Sequence, residues 1–286
     1  MTGIASPLLS FGQFDSMNQA LCFKEIPLTK TVIHIVDTIE RPFVIRWSNN
    51  HDMQQIHDWL QEEDALGVHG NFLCNWNLTQ KCHEKGALLV LIDEIEGIPV
   101  AYQWSQLLRS GILQIRNGWR GKGLGRLIVE YCIELALQQD EMVLRIECKP
   151  SSSIPFWEAM GFTIIEGDFG ENAKGFKVLS KKLALPPGGK PTLATISLFP
   201  EERKWQEDAP ALARYHLDAI LAADGKIHLV ERASFPMDFR RMSRDPVIEI
   251  IVDGKLIFRD KAKYPEAQAH GVKWCLNGFY IDAVTI

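Results

Sequence analysis

The sequence predicts an α/β (α+β) protein in which strands and helices alternate through the first part of the chain and strands dominate the second part. Short apolar runs such as residues 43–47 and 142–148 have the length and composition of strands. Residues 123–139 place their apolar side chains on one stripe at helical spacing. In the second part, two apolar runs flank Asp253-Gly254, a dipeptide typical of tight hairpins.

Local signals justify the elements of the first part in order. The predicted strands are 32–36, 43–47, 87–93, 100–105, 111–116, 142–148, 162–165 and 176–179, and the predicted helices are 51–61, 123–139 and 153–160. Asn49 precedes the first helix and can cap it. Gly97 and Pro99 favour a turn between the third and fourth strands. Pro155 and Gly161 suit the first turn and the C-terminal cap of the third helix. Residues 64–86 are irregular or weakly helical.

Proline and glycine divide the chain near residues 183–191, which hold three prolines and two glycines. The predicted organisation is residues 1–40 as an extension that contributes to the sheet, 41–183 as the first domain, 184–191 as a linker and 192–286 as an α+β domain. In the last domain, the predicted strands are 193–198, 226–230, 247–252 and 256–259, and the predicted helix is 209–215. The formal net charge of −5 falls entirely in the first part.

Composition excludes several classes of protein. Hydrophobic residues make up 46% and charged residues 23% of the chain, which argues against disorder. The longest apolar run, residues 87–92, is too short to cross a bilayer, and the first residues lack the pattern of a signal peptide. The acidic charge makes nucleic-acid binding unfavourable. We therefore expect a cytoplasmic protein with no membrane partner.

The six cysteines include no Cys-x-x-Cys pair, which favours a reducing compartment. Cys74, Cys82 and His83 could be considered as zinc ligands, but their spacing fits no common pattern. The sequence therefore predicts no metal site. Cys148 lies in an apolar segment with no histidine near it in sequence, which argues against a nucleophilic role.

The most informative segment is residues 113–126, where a strand leads into a glycine-rich turn and then directly into a helix. Glycines at 121, 123 and 125 let backbone N–H groups approach a ligand, and the helix N-terminus adds unpaired donors. Arg120, Lys122 and Arg126 add positive charge, so the segment predicts a site for a pyrophosphate. Neither the G-x-x-x-x-G-K-[ST] nor the G-x-G-x-x-G pattern fits its spacing.

The chain here resembles the GNAT superfamily of acyl-CoA-dependent N-acyltransferases. The family's (Gln/Arg)-x-x-Gly-x-(Gly/Ala) signature is met by Arg120, Gly123 and Gly125, and its later aromatic motif is met by residues 156–162. The order and spacing of both motifs fit, and the resemblance covers about residues 41–182. It implies a mixed, bent sheet with helices on both faces, with two strands splayed to admit acetyl-CoA.

The resemblance also implies the residues of the cofactor site. The backbones of Leu113 and Ile115 would bind the pantetheine arm, and an amide near Ile115 would stabilise the oxyanion. The pyrophosphate would be held by the turn and the start of the helix, at Arg120, Gly121, Lys122, Gly123, Leu124, Gly125 and Arg126. The acceptor amine would attack the thioester directly, with no acyl-enzyme.

Two departures from the family pattern concern catalysis. Trp157 stands where the family often has a tyrosine that protonates the thiolate, and an indole is no useful acid near neutrality. Pro150 stands where an asparagine is common. Glu147 is the candidate general base, with an ion pair to Arg145 as the alternative reading, and Glu94 is a poorer candidate.

Further residues could line the acceptor site, although packing is the simpler reading for each. These are the aromatic residues Trp76 and Trp104 and the histidines His51, His57, His69 and His83. In the last domain, residues 199–205 and 240–244 are solvated loops or, alternatively, a surface for acceptor recognition or dimer formation.

The leading functional hypothesis is therefore an N-acetyltransferase that transfers an acetyl group from acetyl-CoA to an amine of a small molecule or a protein. The alternative is an acyl-CoA sensor or an inactive acyltransferase fold, which Trp157 and Pro150 motivate. A toxin acting on aminoacyl-tRNA is a third hypothesis, which the acidic first part makes less attractive. A homodimer is compatible with the sequence.

Overall fold

The computed structural model describes residues 29–166, 172–237 and 245–286. The strands are β1 (Thr29–Val36), β2 (Ile39–Trp47), β3 (Leu88–Asp93), β4 (Ile98–Trp104), β5 (Leu113–Ile115), β6 (Val143–Glu147), β7 (Thr163–Ile165), β8 (Lys174–Val178), β9 (Lys190–Phe199), β10 (Ala213–Leu221), β11 (Lys226–Pro236), β12 (Val247–Val252), β13 (Lys255–Lys261), β14 (Val272–Cys275) and β15 (Gly278–Thr285). The helices are α1 (Asn50–Ala65), α2 (Trp76–Glu84), α3 (Leu124–Gln138), α4 (Ile154–Ala159) and α5 (Pro265–Ala269). The predicted α+β class is confirmed.

A five-stranded antiparallel sheet with the order β1-β2-β3-β4-β5 forms the centre of the first part. Successive residues of β3 point to opposite faces. Leu89 and Leu91 belong to the same apolar cluster as α3, whereas Leu88 and Val90 belong to the cluster of α1 and α2. The helices therefore cover both faces of the sheet, as predicted.

Two strands that border the site belong to different sheets. β5 is the edge strand of the five-stranded sheet, and β6 is an edge of a separate three-stranded sheet with the order β6-β8-β7. Helix α3 connects β5 to β6 along the chain. Its buried Ile128 and Leu135 belong to the apolar cluster that also contains Leu89 and Leu91, which we call the first core. The chain thus builds two neighbouring edges with no strand pairing between them.

The second part is a seven-stranded sheet with the order β13-β12-β9-β10-β11-β15-β14. The predicted turn at Asp253-Gly254 joins β12 to β13, and both residues have positive φ, 46° and 79°. Pro191 lies within β9, although the sequence predicted a linker there. The proline is tolerated because this end of β9 pairs only with β10, and pairing with β12 begins at Ala194.

One element of the second part was predicted wrongly. The sequence predicted a helix over 209–215, but the chain forms β10 from Ala213 onward. Leu217 and Ala219 are buried while His216 and Asp218 are exposed, which is the two-residue period of a strand. Nine consecutive residues of β10 pair with β9, so sheet pairing overrides the helical preference of the alanines that precede it.

Two other predictions need adjustment at the N-terminal side. Residues 76–84 form the regular helix α2, which buries Thr79 and Cys82, although the region was expected to be irregular or weakly helical. Of the predicted extension 1–40, β1 pairs with β2 over eight residues, and residues 1–28 lie outside the described residues, as do residues 240–244. No helix in the described ranges has the length and apolarity to cross a membrane.

Burial of β3 yields a stability prediction. Leu91 is fully buried between the sheet and α3, so Leu91→Ala is expected to lower the free energy of unfolding by about 2–5 kcal/mol in urea denaturation. Ile95 is 62% exposed in the turn after β3, and Ile95→Ala is the matched control, with an expected change within about 0.5 kcal/mol. Equal effects at the two positions would contradict the assigned core.

Candidate functional site

A cleft of about 780 Å³ lies between β5 and the C-terminal end of β6. Its walls come from β5, the glycine-rich turn, the first turn of α3, the residues after β6 and helix α4. One end is lined by His69, Phe72 and Asn75 from the connection between α1 and α2, together with Trp104. The size falls in the range typical of small-molecule sites.

In the described part of the chain, two backbone N–H groups at the edge of β5 have no acceptor, and they border this cleft. Toward β4, the amide of Trp104 donates to Ile112 O at 3.0 Å and the amide of Arg116 donates to Val100 O at 2.9 Å. Because hydrogen-bonded positions alternate in an antiparallel pair, the N–H groups of Leu113 and Ile115 point away from β4. Both residues line the cleft. The family resemblance implies that their backbones bind the pantetheine arm.

The glycine-rich turn supplies a second set of unpaired amides. Within the ranges that the structure describes, the backbone N–H groups of residues 121–125 have no hydrogen-bond acceptor. The amides at the two ends of the predicted set are occupied, since Arg120 N–H donates to Asn117 O (3.1 Å) and Arg126 N–H donates to Gly123 O (3.0 Å). The predicted run of donors from Arg120 to Gly125, with Arg126, is therefore corrected to residues 121–125.

Gly123 is the residue that this turn requires. Its φ is +80°, and a Cβ atom added there would lie 2.9 Å from His34 Nε2. His34 Nε2 in turn lies 2.8 Å from Lys122 O, and because a carbonyl only accepts, Nε2 carries the proton. His34 of β1 thus hydrogen-bonds to the turn and occupies the space that a Cβ atom at position 123 would need. Glycine is therefore the residue that fits at this position.

The side chain of Arg120 holds backbone segments of the site together. Its Nε donates to Ile115 O at 3.1 Å, and its two terminal nitrogens donate to His69 O (2.8 Å) and Gly70 O (3.4 Å). The guanidinium therefore ties β5 to the loop after α1. The sequence predicted Arg120 as a positive charge for an anionic ligand, but its donors are committed to three carbonyls.

The side chain of Lys122 also contacts other residues of the protein. Its Nζ lies 2.6 Å from Asp37 Oδ2 and 5.5 Å from the centre of the Trp119 ring, and its side chain does not line the cleft. Arg126 lines the cleft at the first turn of α3, is exposed, and lies 4.0 Å from Glu130. Of the three predicted cations, Arg120 and Arg126 line the cleft, and Arg126 is the one whose guanidinium is not bonded to backbone carbonyls.

The opposite wall is aromatic. Gly125 faces Phe156 of α4, since a Cβ at Gly125 would lie 3.3 Å from the Phe156 ring. Trp157 lines the cleft but is only 6% exposed, packed edge-on between Phe156 and Phe162. Its indole therefore contributes mainly an apolar wall at the position where the family often has a tyrosine.

Glu147 lies at the end of β6 and lines the cleft. Asn172 donates its side-chain N–H to Glu147 Oε1 at 2.6 Å, so a neutral amide orients the carboxylate. The neighbouring Cys148 is buried, its pKa is raised by burial, and the carboxylates of Glu158 and Glu147 raise that pKa further. A thiol in this state is a poor nucleophile.

The other predicted candidates are dispersed. Trp104 and His69 line the cleft, whereas Trp76 does not and instead packs on the ring of His57 at 4.7 Å. His51 also lies outside the lining. Glu94, on the turn after β3, has its amide bonded to Pro42 O and does not line the cleft.

The residues considered for zinc do not converge. Cys82 is buried and donates to Ala87 O, and His83 bonds Ser48 through Nδ1 and Asn50 through Nε2. Among the described residues, no group of three or more His, Cys, Asp or Glu side chains could hold a metal ion.

Sequence reasoning missed His34, Asp37 and Asn172, which support the turn and the carboxylate. Each acts through a contact with a residue 25 to 88 positions away in the chain. Lys149 and Ser152, also missed as site residues, line the cleft after β6. Their place two and five residues after Glu147 was the available signal.

The chain matches no protein-family model and no curated protein. It is similar to solved structures over about half of its length. A GNAT-family acetyltransferase from Listeria monocytogenes is 13% identical and covers 52% of this chain and 100% of its own, with a TM-score of 0.39. One from Staphylococcus aureus is 13% identical and covers 48% and 98%, with a TM-score of 0.38. The PaiA N-acetyltransferase of Thermoplasma acidophilum, in complex with coenzyme A, is 12% identical and covers 48% and 99%, with a TM-score of 0.37.

Two of these proteins carry the name of the superfamily that the sequence motifs predict, and the similarity covers about half of this chain.

Arg120 bonds to three backbone carbonyls whereas Arg126 is exposed, and this difference yields a prediction about stability. Arg120→Lys removes the fork that reaches three carbonyls and is expected to lower the free energy of unfolding by about 1–3 kcal/mol. Arg126→Lys, at an exposed position, is the matched control, and its expected change is within about 0.5 kcal/mol. Urea denaturation of both variants checks this, and a fully stable Arg120→Lys protein would argue against the structural role.

Proposed function

We propose that the chain is an acetyl-CoA-dependent N-acetyltransferase. The observation that carries the proposal is the set of backbone N–H groups at residues 121–125 that have no acceptor among the described residues, since Gly121 and residues 123–125 line a cleft between the edge strands β5 and β6. A helix N-terminus leaves its first amides without intrahelical acceptors, and such free amides favour a phosphate group. This donor set fits the diphosphate of coenzyme A.

The remaining walls fit the rest of that co-substrate. The amides of Leu113 and Ile115 face the cleft as a strand edge does, so they suit an extended arm that carries amide groups. Arg126 would add a positive charge beside the diphosphate, and Phe156 and Trp157 would exclude water from the thioester end. The co-substrate supplies the activated acetyl group.

The proposed reaction is direct transfer. The acceptor nitrogen forms a bond to the thioester carbonyl carbon, the carbon–sulfur bond breaks, and an amide of β5 near Ile115 stabilises the oxyanion. Glu147 takes the proton of the amine through Oε2 while Asn172 holds Oε1. The sulfur leaves as a thiolate that is protonated from solvent. Cys148 takes no part, because its thiol is buried and neutral.

Co-substrate binding is tested by a pair of glycine variants. Gly123→Ala places a methyl group against His34 at φ +80°, and we expect at least about tenfold weaker binding of coenzyme A in calorimetry. Gly118→Ala, in the same segment, is the control, because a Cβ there meets no atom within 4 Å. Absence of binding to the wild-type protein at millimolar coenzyme A would refute the proposed site.

Catalysis is tested at Glu147. We expect Glu147→Gln to lower kcat for release of free thiol from acetyl-CoA, with a panel of amines, by about 10²- to 10⁴-fold. Coenzyme A affinity should stay within about twofold, because the variant keeps the size of the side chain and its bond partner Asn172.

Two results would contradict this assignment. If the wild type binds coenzyme A but turns over no amine, a sensor or an inactive fold is the better description. If Glu147→Gln retains full activity, another group accepts the proton.

A further inference from the structure

The contact between the C-terminal sheet and the first part of the chain includes a buried polar side chain, that of Asn277. Asn277 lies in the turn between β14 and β15 and is only 7% exposed. Its side-chain Nδ2 donates to Leu108 O at 2.7 Å and to Val143 O at 3.0 Å. Both protons of one amide are therefore used on carbonyls of the other part of the chain.

One of these two carbonyls lies before β5 and the other lies at the start of β6, the two strands that border the cleft. Val143 is the first residue of β6, whose last residue is Glu147. Leu108 lies in the connection that leads from β4 to β5. Because β5 and β6 belong to different sheets, no strand pairing holds the two edges at a defined separation. Asn277 bridges the two segments directly.

The connection before β5 needs such support. Ser105, Gln106 and Leu107 have φ values of 57°, 51° and 62°, and left-handed backbone is unfavourable for residues with side chains. Such strain persists only where the surroundings hold it in place. Leu107 and Leu108 are buried in the first core, and Asn277 binds the carbonyl that follows this turn.

Further contacts hold the Asn277 turn on the first part. The amide of Leu276 donates to Glu141 Oε2 at 2.7 Å, and Tyr280 packs with Met142 and Val143 in a buried cluster. Arg232 of β11 bonds Asp140 Oδ1 at 2.9 Å. The C-terminal sheet thus contacts residues 140–143, which lead into β6 and include its first residue.

We propose that Asn277 is a positioning residue that sets the separation of β5 and β6, so that the C-terminal sheet determines the width of the cleft. The inference rests on the proposed function, since the cleft is where coenzyme A and the amine would meet. Displacement of reacting groups by about 1 Å can cost two orders of magnitude in rate. A buried amide that ties both strands is therefore expected to affect catalysis from outside the cleft.

Asn277→Ala in the full chain tests this proposal. We expect coenzyme A to bind about tenfold more weakly and kcat for acetyl transfer to fall by about tenfold or more, at temperatures where circular dichroism shows a folded protein. Leu276→Ala is the matched control in the same turn, because its side chain is 37% exposed and its backbone bond to Glu141 is kept. That variant should bind and react within about twofold of the wild type.

A milder variant and a second measurement keep the test decisive. Asn277→Ser keeps one hydroxyl donor, so it is expected to lose less activity than Asn277→Ala, and it replaces that variant if the alanine protein does not fold. Amide hydrogen exchange should become faster in residues 105–115 and 143–147 of the Asn277 variants, and stay unchanged in β3.

The outcomes separate the two proposals. Normal coenzyme A affinity, kcat and exchange in a folded Asn277 variant would overturn the positioning role while the acetyltransferase proposal stands. If the wild type neither binds coenzyme A nor transfers acetyl groups, the proposed function fails. Hydrogen exchange then decides alone whether Asn277 holds the two strands.

Discussion

The site depends on backbone donors that the fold leaves without partners. β5 ends one sheet and β6 borders another, so the amides of Leu113 and Ile115 have no strand beside them. Along the chain, the turn at residues 121–125 leaves five more amides without acceptors among the described residues. Free amides at a helix N-terminus and at a strand edge are groups that can bind an anionic or an extended ligand.

The positive side chains around the turn divide between two tasks. Arg120 and Lys122 belong to the scaffold, where they bind the carbonyls of Ile115, His69 and Gly70 and the carboxylate of Asp37. Arg126 and Lys149 also line the cleft, so the proposed recognition of an anion combines their charge with oriented amides. Amides in a fixed turn need no reorganisation when a ligand binds, which would suit the proposed binding of acetyl-CoA.

In the positioning role proposed for Asn277, the C-terminal sheet holds the two strands that border the cleft. Splayed strands create a cleft but also remove the hydrogen bonds that would set its width, and the three left-handed residues before β5 add strain. Asn277 compensates with two hydrogen bonds, and the contacts to residues 140–143 extend that support to β6 and its terminal Glu147. Stability of the second sheet and geometry of the cleft are therefore linked.

The amino-acid sequence by itself determined the features that depend on neighbouring residues. The strand, glycine turn and helix over residues 113–126, the capped helix after Asn49 and the Asp253-Gly254 hairpin follow from local backbone preferences, and the structure contains all three. Tertiary structure alone decided which donors are free. Arg120 meets carbonyls about 50 residues away and Asn277 meets them 134 and 169 residues away, distances over which local patterns carry no information. The same reason explains why β10 is a strand: its conformation is set by pairing with β9, because a sheet is stabilised between segments and not within one.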